Sequence, residues 1–361
     1  MKYVDEYRDP ALARRLADRI NRISIKPARL MEFCGGHTVA IMRHGLRQLL
    51  PRSLTLVSGP GCPVCVTDQR DLDLAIRYAR LPGVTVATFG DMIKVPGSGS
   101  SLAAVRAEGA EVRVVYSPVD AVDLAAEQPA HKVIFIAAGF ETTAPGVAAA
   151  ILEAEKRSLV NFHVYSLLKV SPPVIGALLG PGGVKLDGLI CPGHVSTIIG
   201  WKAWEFVPRR YGLACAVAGF EPLDILLAVE RIVEQIERGV PAVDDAYPRG
   251  VKAGGNPHAL ALMERVFVTG EASWRGLGVV PGSGLGVRPA YRPFDALAMV
   301  PLPPGPVFEP TGCRCGEVLR GLIGPADCGL FGKKCTPEWP VGPCMVSAEG
   351  ACAAWYQYGR E

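Results

Sequence analysis

Residues 29–38 read RLMEFCGGHT, and residues 54–65 read LTLVSGPGCPVC. Each is a short apolar run that breaks off into glycine, cysteine and small polar residues, the form of a β-strand delivering its C-terminal end into a loop. The form recurs at VTVATF (84–89), VRVVYS (112–117), KVIFIAAG (132–139), FHVYSLL (162–168), DGLIC (187–191) and LACAVAG (213–219). Helix-like segments fill the intervals, among them QRDLDLAIRYAR (69–80), SLAAVRAEG (101–109), APGVAAAILEAEKR (144–157) and EPLDILLAVERIVEQIERG (221–239). Strands alternating with helices of this length predict parallel α/β sheets. The loops also repeat: EFCGGHT is echoed by AAGFETT, and SGPGCPV by ICPGHVS. We therefore expect two similar parallel-sheet βα domains facing a cleft, over 29–122 and 123–240. One larger doubly wound sheet is the alternative.

Outward from these, residues 1–28 form a helical segment with an amphipathic helix from about Pro10 to Ile23. Beyond 240, proline and glycine rise and periodicity weakens, and 241–361 is expected to be a loop-rich C-terminal domain. The chain of 361 residues is long enough for a large core, and 49% hydrophobic with 20% charged residues is an ordinary globular balance. The formal net charge of +3 and 7% aromatics give no electrostatic footprint or stacking platform for nucleic acid. No apolar run is long enough to span a membrane, and the charged start lacks a signal-peptide core. A cytoplasmic protein is the expectation, and in that compartment eleven cysteines read as metal ligands, redox groups or buried small hydrophobes.

Six of the eleven lie in the last 49 residues: Cys313, Cys315, Cys328, Cys335, Cys344 and Cys352. No C-x-x-C knuckle of the zinc type occurs among them. Wide, irregular gaps suit a [4Fe–4S] cube, whose four irons present well-separated ligand directions, and zinc is the rival. Cys62 and Cys65 form a C-x-x-C at a helix start, where the dipole favours a thiolate. That pair suits thiol–disulfide exchange or metal binding. Cys34 and His37 sit at another strand end, and adjacent loops would bring Cys34 near Cys62 and Cys65. The four side chains then form a Cys₃His zinc site, or leave Cys34 as a free thiolate for a soft, low-valent metal. Glu141, Thr142, Thr143, Cys191 and His194 are candidates to line the cleft from the second domain, with Asp91 and Lys94 as a polar rim. Cys215 reads as a buried strand cysteine, and His131, His163 and His258 as structural.

The motifs MEFCGGHT, GPGCPVCVT, TFGDMIKVPGS, GFETTAP, CPGHVSTIIG and VVPGSGLGVRPAYRPFDA, with the tail from GCRCGEVLRG to ACAAWYQYGR, resemble the HypD family of hydrogenase formation proteins over nearly the whole chain. The resemblance implies a maturation factor for [NiFe]-hydrogenases. It implies work with a small partner, HypC, on an iron that acquires two cyanides and one carbon monoxide. HypE, with HypF upstream, would deliver the cyanide, and the Fe(CN)₂CO unit would pass to the hydrogenase large-subunit precursor. Carried onto this sequence, it makes Cys34 the iron-holding thiolate with His37 beside it, and Cys62 and Cys65 a redox pair. It makes Cys313, Cys328, Cys335 and Cys352 the cluster ligands, with Cys315 and Cys344 a second thiol pair. Exchanging Cys315 for Cys313 is the runner-up ligand set. The expectation is an assembly scaffold rather than a conventional turnover enzyme. A stand-alone iron–sulfur thiol–disulfide reductase resembling ferredoxin–thioredoxin reductase, and a zinc-structured binding protein, are the competing readings.

Overall fold

The structure is a computed structural model that describes residues 5–180, 183–303 and 305–359. Its strands are β1 (Ala28–Glu32), β2 (Leu54–Ser58), β3 (Val84–Thr88), β4 (Val112–Val114), β5 (Lys132–Gly139), β6 (Phe162–Leu168), β7 (Gly188–Pro192), β8 (Ala214–Ala218), β9 (Val243–Asp245), β10 (Phe267–Trp274) and β11 (Gly278–Val287). They form one five-stranded sheet in the order β2-β1-β7-β8-β9, one four-stranded sheet in the order β4-β3-β5-β6, and the hairpin β10-β11. Every pairing in the two larger sheets is parallel. Parallel sheets are covered on both faces, which is why these strands are continuous apolar runs.

Two expectations change here. The strands of 29–122 are divided between the sheets: β1 and β2 join β7, β8 and β9, while β3 and β4 join β5 and β6. The boundary at 122/123 therefore falls inside the second sheet, which is an insertion between β2 and β7. Nor is 241–361 one unit. β9 completes the first sheet, and Met263, Phe267, Leu285 and Tyr291 pack with Phe135 and Val164 of the second. The likeness between the halves survives in the topology. Counted within each sheet, the first runs 2-1-3-4-5 and the second 2-1-3-4, both doubly wound orders.

Helices cover the outer face of the first sheet. Pro10–Ile23, capped by the Asp9 carboxylate on the N–H groups of Ala11 and Leu12, turns Ala13, Ala17 and Ile20 inward. It packs on Pro222–Arg238, whose Ile225, Leu226, Val229 and Ile232 lie over Leu30, Ile190 and Ala216. The inner face carries Met31, Phe33, Leu189, Cys191 and Val217, in a single core with Val86, Ile134 and Ile136 of the second sheet and with Cys315, Cys344 and Met345 of the tail. The tail has little apolar content of its own and is held by that shared core. Among the described residues no helix is long and apolar enough to cross a membrane.

Candidate metal and thiol site

In a doubly wound sheet the chain leaves in opposite directions on either side of one strand pair, and a crevice opens at the C-terminal ends of that pair. In the first sheet the pair is β1 and β7. After β1 the chain enters the helix Gly35–Arg43 through Cys34, its N-cap residue. After β7 it enters the helix Gly193–Ile199, which carries His194. Cys191 and His194 thus belong to the first sheet rather than to the second, correcting the expectation above. Phe220, just past β8, stacks between the two imidazoles, with centroids 4.7 Å from His37 and 3.8 Å from His194.

The loop after β2 closes on the same point. Gly35 N–H donates to Gly61 O at 3.2 Å. A Cβ on Gly61 would collide with the backbone of Cys34, so only glycine allows this approach. Cys62 then caps the short helix Pro63–Val66, and Cys62 and Cys65 are joined as a disulfide. Both are buried. The loops do bring Cys34 beside the Cys62–Cys65 pair. Two of the four side chains, Cys62 and Cys65, are paired with each other here, and His37 Nε2 engages the carbonyls of Ala218 at 3.2 Å and Gly219 at 3.0 Å. Since carbonyls only accept, Nε2 carries the hydrogen. Nδ1 has no hydrogen-bond partner among the described residues. Burial drops the His37 pKa to about 4, so the ring is neutral at physiological pH. Burial pushes the Cys34 thiol up to about 12, with Glu349 adding to it and the backbone N–H groups of Gly36 and His37 opposing. A metal taken up by Cys34 must therefore displace a proton.

Three residues of this site carry no recognisable sequence signal except one. Glu32, a carboxyl inside the apolar strand MEF, is that exception, because a buried acid needs a reason. Its Oε2 accepts from Cys34 N–H at 3.2 Å and its Oε1 from the Thr38 hydroxyl, so it anchors the Cys34 turn from below. Phe220 and Glu349 could not be found by spacing. Glu349 Cβ lies against Gly35, and the Ser347 hydroxyl donates to Asp91 at 2.9 Å, just past β3. Residues 347–349 of the tail therefore bridge the switch points of both sheets, and Asp91 does stand at the rim. Glu141 instead turns inward, accepting from Ser171 N–H at 2.6 Å and its hydroxyl at 2.9 Å. His131 and His163 bond Thr85 and the Pro293 carbonyl, as structural histidines do, and Cys215 is buried in β8.

Burial raises Glu32 to about 8. A carboxyl raised in the folded state binds more protons than in the unfolded chain between about 4.5 and 8, so its stabilisation is present below that window and lost as pH rises through it. Glu32→Gln keeps the anchor without the titration. The expected result is that denaturant unfolding shows wild type losing a few kcal/mol relative to this variant between pH 5 and pH 8, roughly. Comparing the pair cancels the contributions of His37 and Glu141.

The tail cysteines form a second candidate site. All six, Cys313, Cys315, Cys328, Cys335, Cys344 and Cys352, line one pocket together with Val318, Leu330, Phe331, Gly342 and Met345. Its lining has no charged side chain. Cys315 is within hydrogen-bonding reach of Cys313 and Cys344, and these contacts, with the Arg275 guanidinium adding, push its thiol down. Cys313 and Cys344 are pushed up by donating to it and by burial. Val341 N–H donates to Cys335 Sγ at 3.3 Å, and a Cβ on Gly342 would sit 2.6 Å from Cys313 Sγ. Among the described residues no three His, Cys, Asp or Glu side chains are grouped so as to hold a single metal ion. Thiols spread round one apolar pocket, with a backbone N–H on sulfur, fit a multi-iron cluster. The two sites touch: Cys65 Sγ lies 3.9 Å from the carbonyl of Pro343, the residue before Cys344.

Residues 11–359 match the HypD family model, described as hydrogenase formation hypA family. The chain belongs to the HypD family. It is 49% identical to the hydrogenase maturation factor HypD of Azotobacter vinelandii, over all of this chain and 98% of that one. It is 49% identical to the hydrogenase expression/formation protein HupD of Azotobacter chroococcum, over 100% and 98%. The HypD of Escherichia coli K12 is 43% identical over 100% and 99%. Within this HypD-family chain, the sulfur-bearing loops, the two switch points and the tail meet at one place.

Proposed function

We propose that this chain is the scaffold on which the Fe(CN)₂CO group of [NiFe]-hydrogenases is assembled, in complex with HypC. HypE, supplied by HypF, would bring the cyanide, and the large-subunit precursor would receive the product. What carries the reading is that the loop of the Cys62–Cys65 disulfide packs at Gly61 on the Cys34 backbone, while Cys65 Sγ lies 3.9 Å from the Pro343 carbonyl at the six-cysteine pocket. Strong-field cyanide and carbonyl ligands favour electron-rich, low-spin iron, and a soft thiolate suits that metal better than a carboxylate. A cargo that must leave needs few protein ligands. Cys34 offers one sulfur, the neutral His37 ring stands beside it, and Phe220 and Glu349 wall the crevice.

Cys313, Cys328, Cys335 and Cys352 would hold a [4Fe–4S] cluster, which when bound supplies electrons one at a time. Cys315 and Cys344 are left as neighbours within hydrogen-bonding reach. Opening the Cys62–Cys65 disulfide takes two electrons and two protons, and closing it returns them, so the pair stores a two-electron change beside Cys34. The stand-alone reductase reading demands an attacking thiol or substrate at a disulfide whose cysteines are 4% and 0% exposed, and burial works against it. The test is an infrared spectrum of the anaerobically purified chain with HypC. Cyanide and carbonyl stretches are expected; a complex that is active in maturation yet lacks them would overturn the scaffold reading.

A further inference from the structure

The sulfur pocket has an inner and an outer side. Cys315 and Cys344, 5% and 1% exposed, belong to the side that meets the Cys62–Cys65 disulfide. Cys313 and Cys328 are half-buried and belong to the side nearer solvent, while Cys335, on the same wall, is buried. The outer wall continues into a tightly bonded loop. Lys333 N–H and Cys335 N–H both donate to Leu330 O, at 3.2 and 2.9 Å, and Gly332 N–H donates to Cys335 O at 3.1 Å. Gly332 takes φ +66°, the left-handed turn that glycine permits. A second turn follows, closed by reciprocal bonds between Thr336 and Trp339 at 3.1 and 3.3 Å.

This frame holds three side chains out in water. Lys333 and Lys334 are exposed, and neither forms an ion pair among the described residues. Trp339 is 79% exposed. Glu338 is the one carboxylate on the same double turn, while Glu317, nearby in the chain, is engaged by Arg314. A large aromatic kept in solvent on a fixed backbone has the character of an interface anchor, and unpaired lysines on the same double turn supply a charged rim. Lys334 is also covalently next to Cys335, so no other charged surface residue is nearer in the chain to a pocket sulfur on this loop.

We propose that the Lys333–Lys334–Trp339 loop is the docking surface for an acidic electron-carrier protein. The inference rests on the iron–sulfur reading of the pocket. Charge complementarity selects the partner: two free ammonium groups steer a negatively charged surface, and a small patch suits the brief, small-area encounters of electron carriers. The exchange moves one electron inward; the carrier is oxidised by one electron, the tail centre is reduced by one, and no bond or proton is transferred.

The experiment mixes the anaerobically purified full chain with a reduced, acidic plant-type [2Fe–2S] ferredoxin and follows the visible absorbance by stopped flow. Lys333→Glu/Lys334→Glu should slow the second-order reduction about tenfold at low salt and abolish its decline with salt. Trp339→Ala should slow it by a similar factor with the salt dependence kept. Reduction by dithionite should be unchanged in both variants, which keeps the tail centre intact as a control. Equal ferredoxin rates and equal salt dependence in wild type and the charge-reversed variant would overturn the docking surface. A wild-type chain with no centre reducible by dithionite would instead overturn the iron–sulfur reading on which the proposal stands.

Discussion

Cys34→Ala should leave the protein folded and coloured but empty of cargo. The infrared cyanide and carbonyl bands of the complex with HypC are expected to fall to background, while iron bound in the tail and its visible absorbance stay at the wild-type level. The asymmetry follows from what Cys34 does in the fold. Its backbone carries the structure: the N–H bonds Glu32, and its carbonyl accepts from His37 and Thr38. The residue is half-buried and outside the hydrophobic core clusters, so alanine at this position opens no packed core. Desolvation already raises this thiol's pKa, so removing it costs no favourable solvation. If cyanide-bearing iron still loaded onto this variant, the assignment of Cys34 would be wrong.

Cys335→Ala should do more damage from farther away. The expected result is a colourless protein with iron at background, a thermal midpoint well below wild type, and loss of several kcal/mol of stability, since ligation is folding energy for a segment that has little core. The infrared bands should vanish as well, although residue 335 lies outside the Cys34 crevice. The tail delivers Glu349 to Gly35 and Ser347 to Asp91, so loosening it removes one wall of that crevice. Iron analysis, calorimetry and infrared spectra on the two variants separate the roles: one loses cargo alone, the other loses cargo, colour and stability together. A Cys335→Ala protein that kept both iron and midpoint would show that this sulfur holds nothing.

The strands were legible because each is a short apolar run: β2, β5 and β6 coincide with their expected limits, β1, β3, β7 and β8 differ by one residue at one or both ends, and β4 stops three residues short of the expected 117. The helix at Pro10–Ile23 was equally plain. Which sheet each strand enters was not. Val84–Thr88 and Leu54–Ser58 are the same kind of buried strand, and nothing local tells β3 to begin a new sheet instead of extending the first. β9 and β10 were missed because their residues face solvent in part and lack an apolar run. At the site, the cysteines announced themselves by spacing and loop position. Glu349 and Phe220 did not, since their roles exist only after distant segments converge.

The position of the second sheet within the chain governs the order of events during synthesis. A ribosome releases β1 and β2 early, but the strand that sits beside β1 on its other side ends only at Pro192. Until then the CGGHT and GPGCPVC segments have no completed crevice to line, whereas β3 to β6 are contiguous in sequence, although their sheet still awaits Met263, Phe267, Leu285 and Tyr291 to complete its core. The last 49 residues arrive after everything else, and they bring both Glu349 and the six-sulfur pocket. Cys34 therefore gains its Glu349 neighbour only once residues 347–349 have been added, well after the strand that carries it into the loop.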